Sequence, residues 1–276
     1  MNTELSRLVP FFLETKPGRR FCIYHPHVGT CKGAVLYVHP FAEEMNKSRR
    51  MAALQARKLA NIGFSVLQID LYGCGDSSGD FRDARWEIWK NDLRLAADWL
   101  RQRVAMPVTL WGLRLGTLLI LDFANETDAP IARIFLWQPV HSGEAYLAQF
   151  LRLRLANAMM TGKAKTSLSD LKNELASSGT LEVAGYELAH DLVEAVSRLK
   201  LAELGNPGIQ HHWFEIMPDA NLPLSPAVSR ILEAWKNHDI TVHTHKTQGE
   251  PFWSTQEITD CADLIDKTTR VFSEKC

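Results

Sequence analysis

Short apolar runs alternate with amphipathic stretches along most of the chain. Residues 34–38, 64–69 and 108–111 are rich in apolar β-formers, which is typical of strands buried on both faces of a sheet. Residues 85–103 instead carry their large apolar side chains at spacings of three and four. This spacing predicts a long helix with one apolar face.

The alternation continues after the middle of the chain. The pattern predicts further strands at residues 131–137, 212–217 and 241–245 and further helices at 225–239 and 255–272. Strands that alternate with crossover helices form a mainly parallel sheet with helices on both faces. Ligands bind at the carboxyl ends of the strands in such sheets. The residues up to Lys32 are expected to add leading antiparallel strands.

Residues 141–205 interrupt this pattern. They form mostly amphipathic, helix-like segments, such as 146–160 and 168–176, without runs typical of buried strands. We interpret them as a helical cap inserted into a core made of residues 1–140 and 206–276. Chain-closure entropy grows slowly with loop length, so an α/β sheet tolerates such an insertion.

Composition and charge exclude several classes of protein. The chain of 276 residues is 46% apolar and 23% charged, which is ordinary for a globular protein. Its 31 basic and 32 acidic residues nearly balance, so no bulk positive field attracts nucleic acid or anionic lipid. Residues 8–13 are too short an apolar run for a signal peptide, and no run approaches a membrane span. We expect a cytoplasmic protein that does not span a membrane.

The sequence also predicts neither a metal nor a cofactor. The five cysteines are odd in number and show no C-x-x-C spacing, which favours reduced thiols over disulfides or a zinc site. The pair His211 and His212 has no further ligands at metal spacing. No glycine-rich phosphate-binding motif follows a strand.

The candidate site begins at residues 108–116, a strand followed by G-x-X-x-G and a helix. This is the context of a nucleophile elbow, where glycines allow a strained turn to present its central side chain to the cleft. The central residue here is Arg114, where a serine would be needed. Arginine stays protonated in proteins and is not a nucleophile, so the usual acyl-enzyme route is blocked.

A second match to G-x-S-x-G, at residues 75–79, lies in a different context. It follows a loop rich in glycine and aspartate, and no helix starts directly behind it. We interpret it as a turn whose aspartate and serine side chains cap backbone groups. Cys74 in the same loop is expected to be a packed thiol rather than a nucleophile.

Several segments resemble a known family. The sheet pattern, the elbow and the cap look like the α/β-hydrolase fold. Residues 39–50 (HPFAEEMNKSRR), 111–116 (WGLRLG), 149–154 (QFLRLR) and 249–253 (GEPFW) resemble the second family of hydrolase-like proteins associated with exosortase A systems. The resemblance implies a bacterial accessory protein linked to exopolysaccharide synthesis and PEP-CTERM sorting. It implies no particular substrate.

The other members of a catalytic triad are only partly present. In the α/β-hydrolase fold an acid follows the strand at 212–217, where Asp219 fits, and a histidine follows the last strand. No histidine occurs after His245. His243 and His245 alternate on one face of a predicted strand, which favours a structural role.

Backbone donors for an anion do not depend on the missing nucleophile. The loop after the first central strand offers the amide of Phe41 or Ala42, and Leu115 offers a second. With the Arg114 guanidinium they would form a pocket for a carboxylate or phosphate. His39 and Glu250 are further candidate ligand-binding residues at the ends of the first and last central strands.

A structural account of Arg114 competes with this one. A buried guanidinium requires a carboxylate, and Glu43, Glu44 and Glu250 are candidates for an internal ion pair. Two functions therefore stay open. The first, which the resemblance implies, is hydrolysis or acyl transfer on an ester or thioester linked to the exosortase and exopolysaccharide pathway. It would use an unconventional nucleophile or an activated water, with Glu43, Glu44 or Asp219 as the base. The second is a degenerate accessory protein that binds an anionic or acyl ligand, or a partner segment of the exosortase pathway.

Overall fold

The computed structural model describes residues 8–160 and 167–274, so Cys276 and residues 161–166 of the predicted cap lie outside the described residues. Ten strands form in the described residues. In chain order they are β1 (Val9–Glu14), β2 (Arg19–His25), β3 (Gly33–Val38), β4 (Phe64–Ile69), β5 (Val108–Leu113), β6 (Ile131–Trp137), β7 (Thr180–Val183), β8 (Tyr186–Ala189), β9 (Gln210–Met217) and β10 (Val242–Gln248).

Eight of these strands make one sheet in the order β1-β2-β4-β3-β5-β6-β9-β10. The six strands from β4 to β10 in this order run parallel to one another. The two leading strands are antiparallel, since β1 pairs with β2 and β2 with β4 in that sense. The predicted mainly parallel sheet with leading antiparallel strands is therefore confirmed.

Helices cover both faces of this sheet. Alternate side chains of the central strands point to opposite sides, so Val35 and Trp111 join one apolar cluster and Leu36 and Leu110 the other. Helices α1 and α8 pack in the first cluster, and α2 and α3 in the second. The helices are α1 (Glu43–Asn61), α2 (Trp86–Val104), α3 (Leu115–Glu126), α4 (Gly143–Met160), α5 (Leu168–Ser178), α6 (His190–Ser197), α7 (Pro226–Asn237) and α8 (Ala262–Ser273).

The segment between β6 and β9 contains α4, α5 and α6, and also a β-hairpin that the helical pattern did not predict. Strands β7 and β8 pair in an antiparallel two-stranded sheet. Ala184 and Gly185 between them both have positive φ, 51° and 84°, as a two-residue hairpin turn requires. Each strand has only four residues, so its pattern is too short to be distinguished from a helix.

The last helix also starts later than the pattern predicted, at Ala262 rather than near residue 255. Residues 249–261 form an irregular loop in which the Thr255 hydroxyl donates to the Phe252 carbonyl. The Asp263 carboxylate accepts the backbone N–H of Gln248. This loop therefore follows the carboxyl end of β10, the end of the sheet where α1 and α3 also begin.

Candidate functional site

The turn between β5 and α3 has the strained backbone of an elbow. Arg114 has φ 54° and ψ −120° and precedes the first residue of α3. A Cβ on Gly112 would lie 2.7 Å from the Gly116 oxygen, and a Cβ on Gly116 would lie 2.7 Å from the backbone oxygens of Val38 and His39. Both glycines are therefore required for this close packing of strand and helix.

The turn between β3 and α1 has nearly the same backbone. Ala42, which precedes α1, has φ 49° and ψ −129°. The amides of Ala42 and Leu115 donate no hydrogen bond to another described residue. Both residues line one void of about 10 Å³, which is about the room for one water molecule. The two residues predicted to supply amide donors thus lie beside one void, and neither amide is used elsewhere in the described chain.

The side chain of Arg114 lies among one carboxylate and two aromatic rings. Its Nε donates to Oε1 of Glu44 over 3.4 Å. Its Cζ lies 5.1 Å from the ring centre of Trp253 and 5.6 Å from that of Tyr146, within the range of a cation–π contact. The predicted ion pair with a neighbouring glutamate is confirmed, with Glu44 as the partner. Neither terminal NH₂ group of the guanidinium has an acceptor among the described residues.

Glu44 is buried and only partly satisfied. The residue is 9% exposed, and its Oε2 atom has no hydrogen-bond partner among the described residues. Burial raises the pKa of Glu44 to about 7, although the charge of Arg114 and the Tyr146 hydroxyl act to lower it. A carboxyl group with this pKa exchanges its proton near neutral pH.

These side chains surround a cavity of about 240 Å³ between α1, α4 and the loop after β10. One part of its wall is polar and charged, and the rest is aromatic or aliphatic. The lining residues are Glu43, Glu44, Lys47, Arg114, Tyr146, Gln149, Phe150, Leu153, Trp253 and Ser254. A cavity with an apolar wall and a few convergent polar groups is typical of a small-molecule site.

Of the remaining predicted site residues, His39 lines the same void as Ala42 and Leu115, whereas Asp219 and Glu250 line neither this void nor the cavity. His39 is buried, with one ring nitrogen facing the Pro40 carbonyl at 2.7 Å and the other accepting from the Leu71 N–H. Asp219 accepts from the backbone and side chain of Asn221 in a local turn. Glu250 is exposed. Within the described part of the chain, none of the three forms a hydrogen bond or an ion pair with the Arg114 side chain.

Two residues near Arg114 were missed in the sequence. Glu215, inside β9, accepts from the indole N–H of Trp213 and from the side chain of Gln138. Burial raises its pKa, and the charge of Arg114 lowers it. Burial and the same charge lower the pKa of His141. A carboxylate expected after the end of β9 cannot be Glu215, because Glu215 lies within that strand.

The alternative candidates for nucleophile and base have structural partners. The Ser77 hydroxyl donates to the Asp70 carbonyl and accepts from the Phe21 N–H, as a capping role predicts. Cys74 is buried, and burial raises the pKa of its thiol. His245 lies 3.2 Å from a ring nitrogen of His212, and Gln210 contacts His243. No group of three metal-ligating side chains occurs in the part of the chain that the structure describes.

The comparisons identify the class of protein. The chain belongs to the α/β-hydrolase family described as serine aminopeptidase, S33, which matches residues 29–202. A curated relative, the human protein ABHD12B from Homo sapiens, is 28% identical over 160 residues, covering 49% of this chain and 42% of that protein. The chain thus spans less than half the length of that relative.

Solved structures confirm the predicted fold. A carboxyl esterase from Bacillus coagulans in complex with glycerol has a TM-score of 0.66 at 15% identity, covering 96% of this chain and 97% of that one. Est1E from Butyrivibrio proteoclasticus, with ferulic acid bound, has a TM-score of 0.63 at 13% identity, covering 95% and 96%. The chain has the α/β-hydrolase fold. None of the described helices has the length and apolar character needed to cross a membrane.

Proposed function

We propose that this protein is a catalytically degenerate α/β hydrolase that binds an anionic or acyl ligand in the cavity beside Arg114. The proposal rests on the guanidinium group of Arg114. It occupies the position of the nucleophile, and its two terminal NH₂ groups have no acceptor among the described residues. A planar guanidinium with free parallel donors binds a carboxylate or phosphate in bidentate fashion.

The contact with Glu44 does not compete strongly with such a ligand. It is a single interaction at 3.4 Å, longer than a good charge-assisted hydrogen bond. Glu44 also has a pKa of about 7, so at slightly acidic pH it becomes neutral and leaves Arg114 to the ligand. Anion affinity should therefore rise as pH falls through 7.

A second candidate function is hydrolysis or acyl transfer on an ester or thioester. Glu44 has the pKa of a general base for neutral pH, and the amides of Ala42 and Leu115 are available to bind an oxyanion. Water activated by Glu44 would then replace the serine nucleophile. Glu43 and Asp219 are the other carboxylates offered as the base.

The biological setting we propose is the exosortase A system, with its exopolysaccharide and PEP-CTERM sorting proteins as partners. The support is the similarity of residues 39–50, 111–116, 149–154 and 249–253 to the hydrolase-like proteins of these systems. We further propose a cytoplasmic location, and a helical cap at 141–205 that covers the cavity on the side of α4.

Calorimetric titration with 3-phenylpropanoate tests the binding function. We expect saturable binding by the wild type and a loss of at least about tenfold in Arg114→Gln, the cost of one charged hydrogen bond. Arg198→Gln is the matched control, since Arg198 directly follows α6 and forms an exposed ion pair with Glu194. Equal binding by the wild type and Arg114→Gln would contradict the proposal.

A panel of short 4-nitrophenyl esters and acyl thioesters separates the two functions. The binding function predicts no turnover above background for the wild type. The variants Glu44→Gln, Asp219→Asn and Arg114→Ala are assayed in parallel. Turnover by the wild type that is lost in Glu44→Gln or in Asp219→Asn would instead establish the hydrolase and identify its base.

A further inference from the structure

A second cavity, of about 160 Å³, lies between α1 and the strands β2, β4 and β3. Among the described residues, none lines both this cavity and the one beside Arg114. An engineered apolar cavity of about 150 Å³ binds benzene, so the second cavity has room for one six-membered ring. It is a separate space that the site around Arg114 does not use.

The floor of the second cavity includes a row of side chains on three neighbouring strands. Tyr37 of β3 is paired in register with Gln68 of β4, and Gln68 is paired with Ile23 of β2. Residues paired in this way point to the same face of a sheet, and neighbouring strands lie about 4.8 Å apart. All three residues line the cavity, so two polar side chains are neighbours on its floor.

Both polar side chains keep a free group that is open to the cavity. Tyr37 is 4% exposed, and its hydroxyl forms no hydrogen bond with another described residue. Its oxygen is not among the fully enclosed atoms that lack a partner, so its remaining surface opens on the cavity that the residue lines. One end of the Gln68 amide lies 3.2 Å from a ring nitrogen of His25. The other end has no partner among the described residues and is likewise not enclosed.

Most of the remaining wall is apolar. Phe21 and Ile23 are partly exposed, and neither packs against the two apolar clusters that form the core of the described chain. Ala52 and Ala53 of α1 line the same cavity and have side chains too short to fill it. An apolar ring in this space would therefore cover surface of Phe21 and Ile23 that the core leaves uncovered.

The ionisable groups of the wall do not select a charged ligand. Arg49 donates to both carboxylate oxygens of Asp70, at 3.0 and 3.3 Å, so their charges neutralise each other. His39 uses both ring nitrogens in hydrogen bonds, and burial lowers its pKa. Burial raises the pKa of Tyr37, so its neutral hydroxyl can donate or accept. A charged ligand would lose its hydration without gaining a counter-charge, which is costly.

From these features we infer that the second cavity is a binding site for a small phenol or aromatic alcohol, a neutral ring with one hydrogen-bonding oxygen. The oxygen of the ligand bonds to the Tyr37 hydroxyl and to the free end of the Gln68 amide. The ring packs between the side chains of β2 and the alanines of α1. This site goes beyond the one proposed beside Arg114, and neither depends on the other.

Fluorine NMR titration of the full chain with two probes of similar shape tests the site. 4-Fluorophenol has the oxygen, and 4-fluorotoluene has a methyl group in its place. We expect the wild type to bind 4-fluorophenol saturably and several-fold more tightly than 4-fluorotoluene, because polar groups in the wall are left unpaired by the analogue without the oxygen. If the wild type binds neither probe, the cavity holds only water and the inference is wrong, while anion binding at Arg114 is unaffected.

Filling the cavity tests where the probes bind. In Ala53→Leu the larger side chain occupies the space, and we expect the affinity for both probes to fall at least about tenfold. Ala227→Leu is the matched control, because Ala227 is an exposed alanine of α7, and it should bind as the wild type does. Binding of both probes by Ala53→Leu with wild-type affinity would show that they occupy another place, and the inference would be wrong.

Removing the hydroxyl tests how the oxygen is recognised. In Tyr37→Phe the ratio of the affinities for 4-fluorophenol and 4-fluorotoluene should fall about fivefold, the value of one neutral hydrogen bond. Tyr24→Phe is the matched control, because the Tyr24 hydroxyl bonds to Ser65 and Tyr24 does not line the cavity. The ratio is measured within each variant, so partial unfolding does not alter it. An unchanged ratio in Tyr37→Phe would overturn the assignment of the ligand oxygen to this hydroxyl.

Discussion

Two arginine–carboxylate pairs in this protein illustrate opposite uses of the same chemistry. Nε of Arg20 donates to Oδ1 of Asp92 over 2.8 Å, and both side chains are 0% exposed. Nε of Arg114 donates to Glu44 over 3.4 Å, and those side chains are 17% and 12% exposed. The first pair lies between β2 and α2, and the second lies at the carboxyl end of the sheet.

The partners of each pair explain the difference. Arg20 also donates to the Pro17 carbonyl and lies over the ring of Tyr72, while the second oxygen of Asp92 accepts the Tyr72 N–H. In the other pair most donors and acceptors are unused. Both oxygens of Asp92 are hydrogen-bonded, although Nη2 of Arg20 is buried without a partner among the described residues. A fully buried pair with these bonds holds the chain together, whereas a weakly bonded pair beside a cavity is available to a ligand.

Breaking the buried pair should have the largest effect. Asp92→Asn leaves the Arg20 guanidinium buried without a counter-charge, and we expect the free energy of unfolding to fall by about 3 to 5 kcal/mol. Urea denaturation measures it. The double variant Arg20→Met with Asp92→Leu should recover much of the loss, because it leaves no buried charge. A loss below about 1 kcal/mol in Asp92→Asn would remove the distinction between the two pairs.

For the Arg114–Glu44 pair, we expect the free energy of unfolding to depend on pH. The pKa of Glu44 is about 7 in the folded protein and near its ordinary value in the unfolded chain. The folded state holds the proton more tightly, so this group stabilises the protein below about pH 4.5, and the stabilisation is lost as pH rises to about 7. The difference in unfolding free energy between the wild type and Glu44→Gln should change by up to about 3 kcal/mol across that range. A constant difference would contradict the raised pKa.

Removing Arg114 should have the smallest effect on stability. Arg114→Gly breaks the pair with Glu44 but relieves the strain of a positive φ at a non-glycine residue, which costs about 1 to 3 kcal/mol. We expect the two contributions nearly to offset each other, leaving the unfolding free energy within about 1 kcal/mol of the wild type. Thermal unfolding monitored by circular dichroism checks this. A loss as large as that of Asp92→Asn would mean that Arg114 is primarily structural.

Much of the fold could be predicted because each central strand has an apolar run that excludes other interpretations. The elbow was also visible, since Gly112 and Gly116 flank residue 114 at fixed spacing. The aromatic walls could not be predicted in the same way. Tyr146 and Trp253 come from a helix and a loop whose placement over Arg114 depends on long-range packing, and local patterns contain no information about it.

The acidic residues near Arg114 could also be predicted only in part. The sequence indicated that a neighbouring glutamate pairs with Arg114, but Glu43 and Glu44 are adjacent, and only the orientation of α1 decides between them. Asp219 fits the expected position by counting along the chain, yet its side chain binds Asn221. Glu215 lies inside the strand, where counting from its end does not find it, and the charge of Arg114 lowers its pKa as it does that of Glu44.

The contact of Gly116 with the backbone oxygens of Val38 and His39 has a consequence for how such proteins change over generations. It locks the start of α3 against the end of β3 through main-chain atoms, whatever side chain stands at position 114. The apex residue is therefore exchangeable without dismantling the turn. A substitution at position 114 can therefore change the chemistry of the site while the strand, turn and helix keep their arrangement.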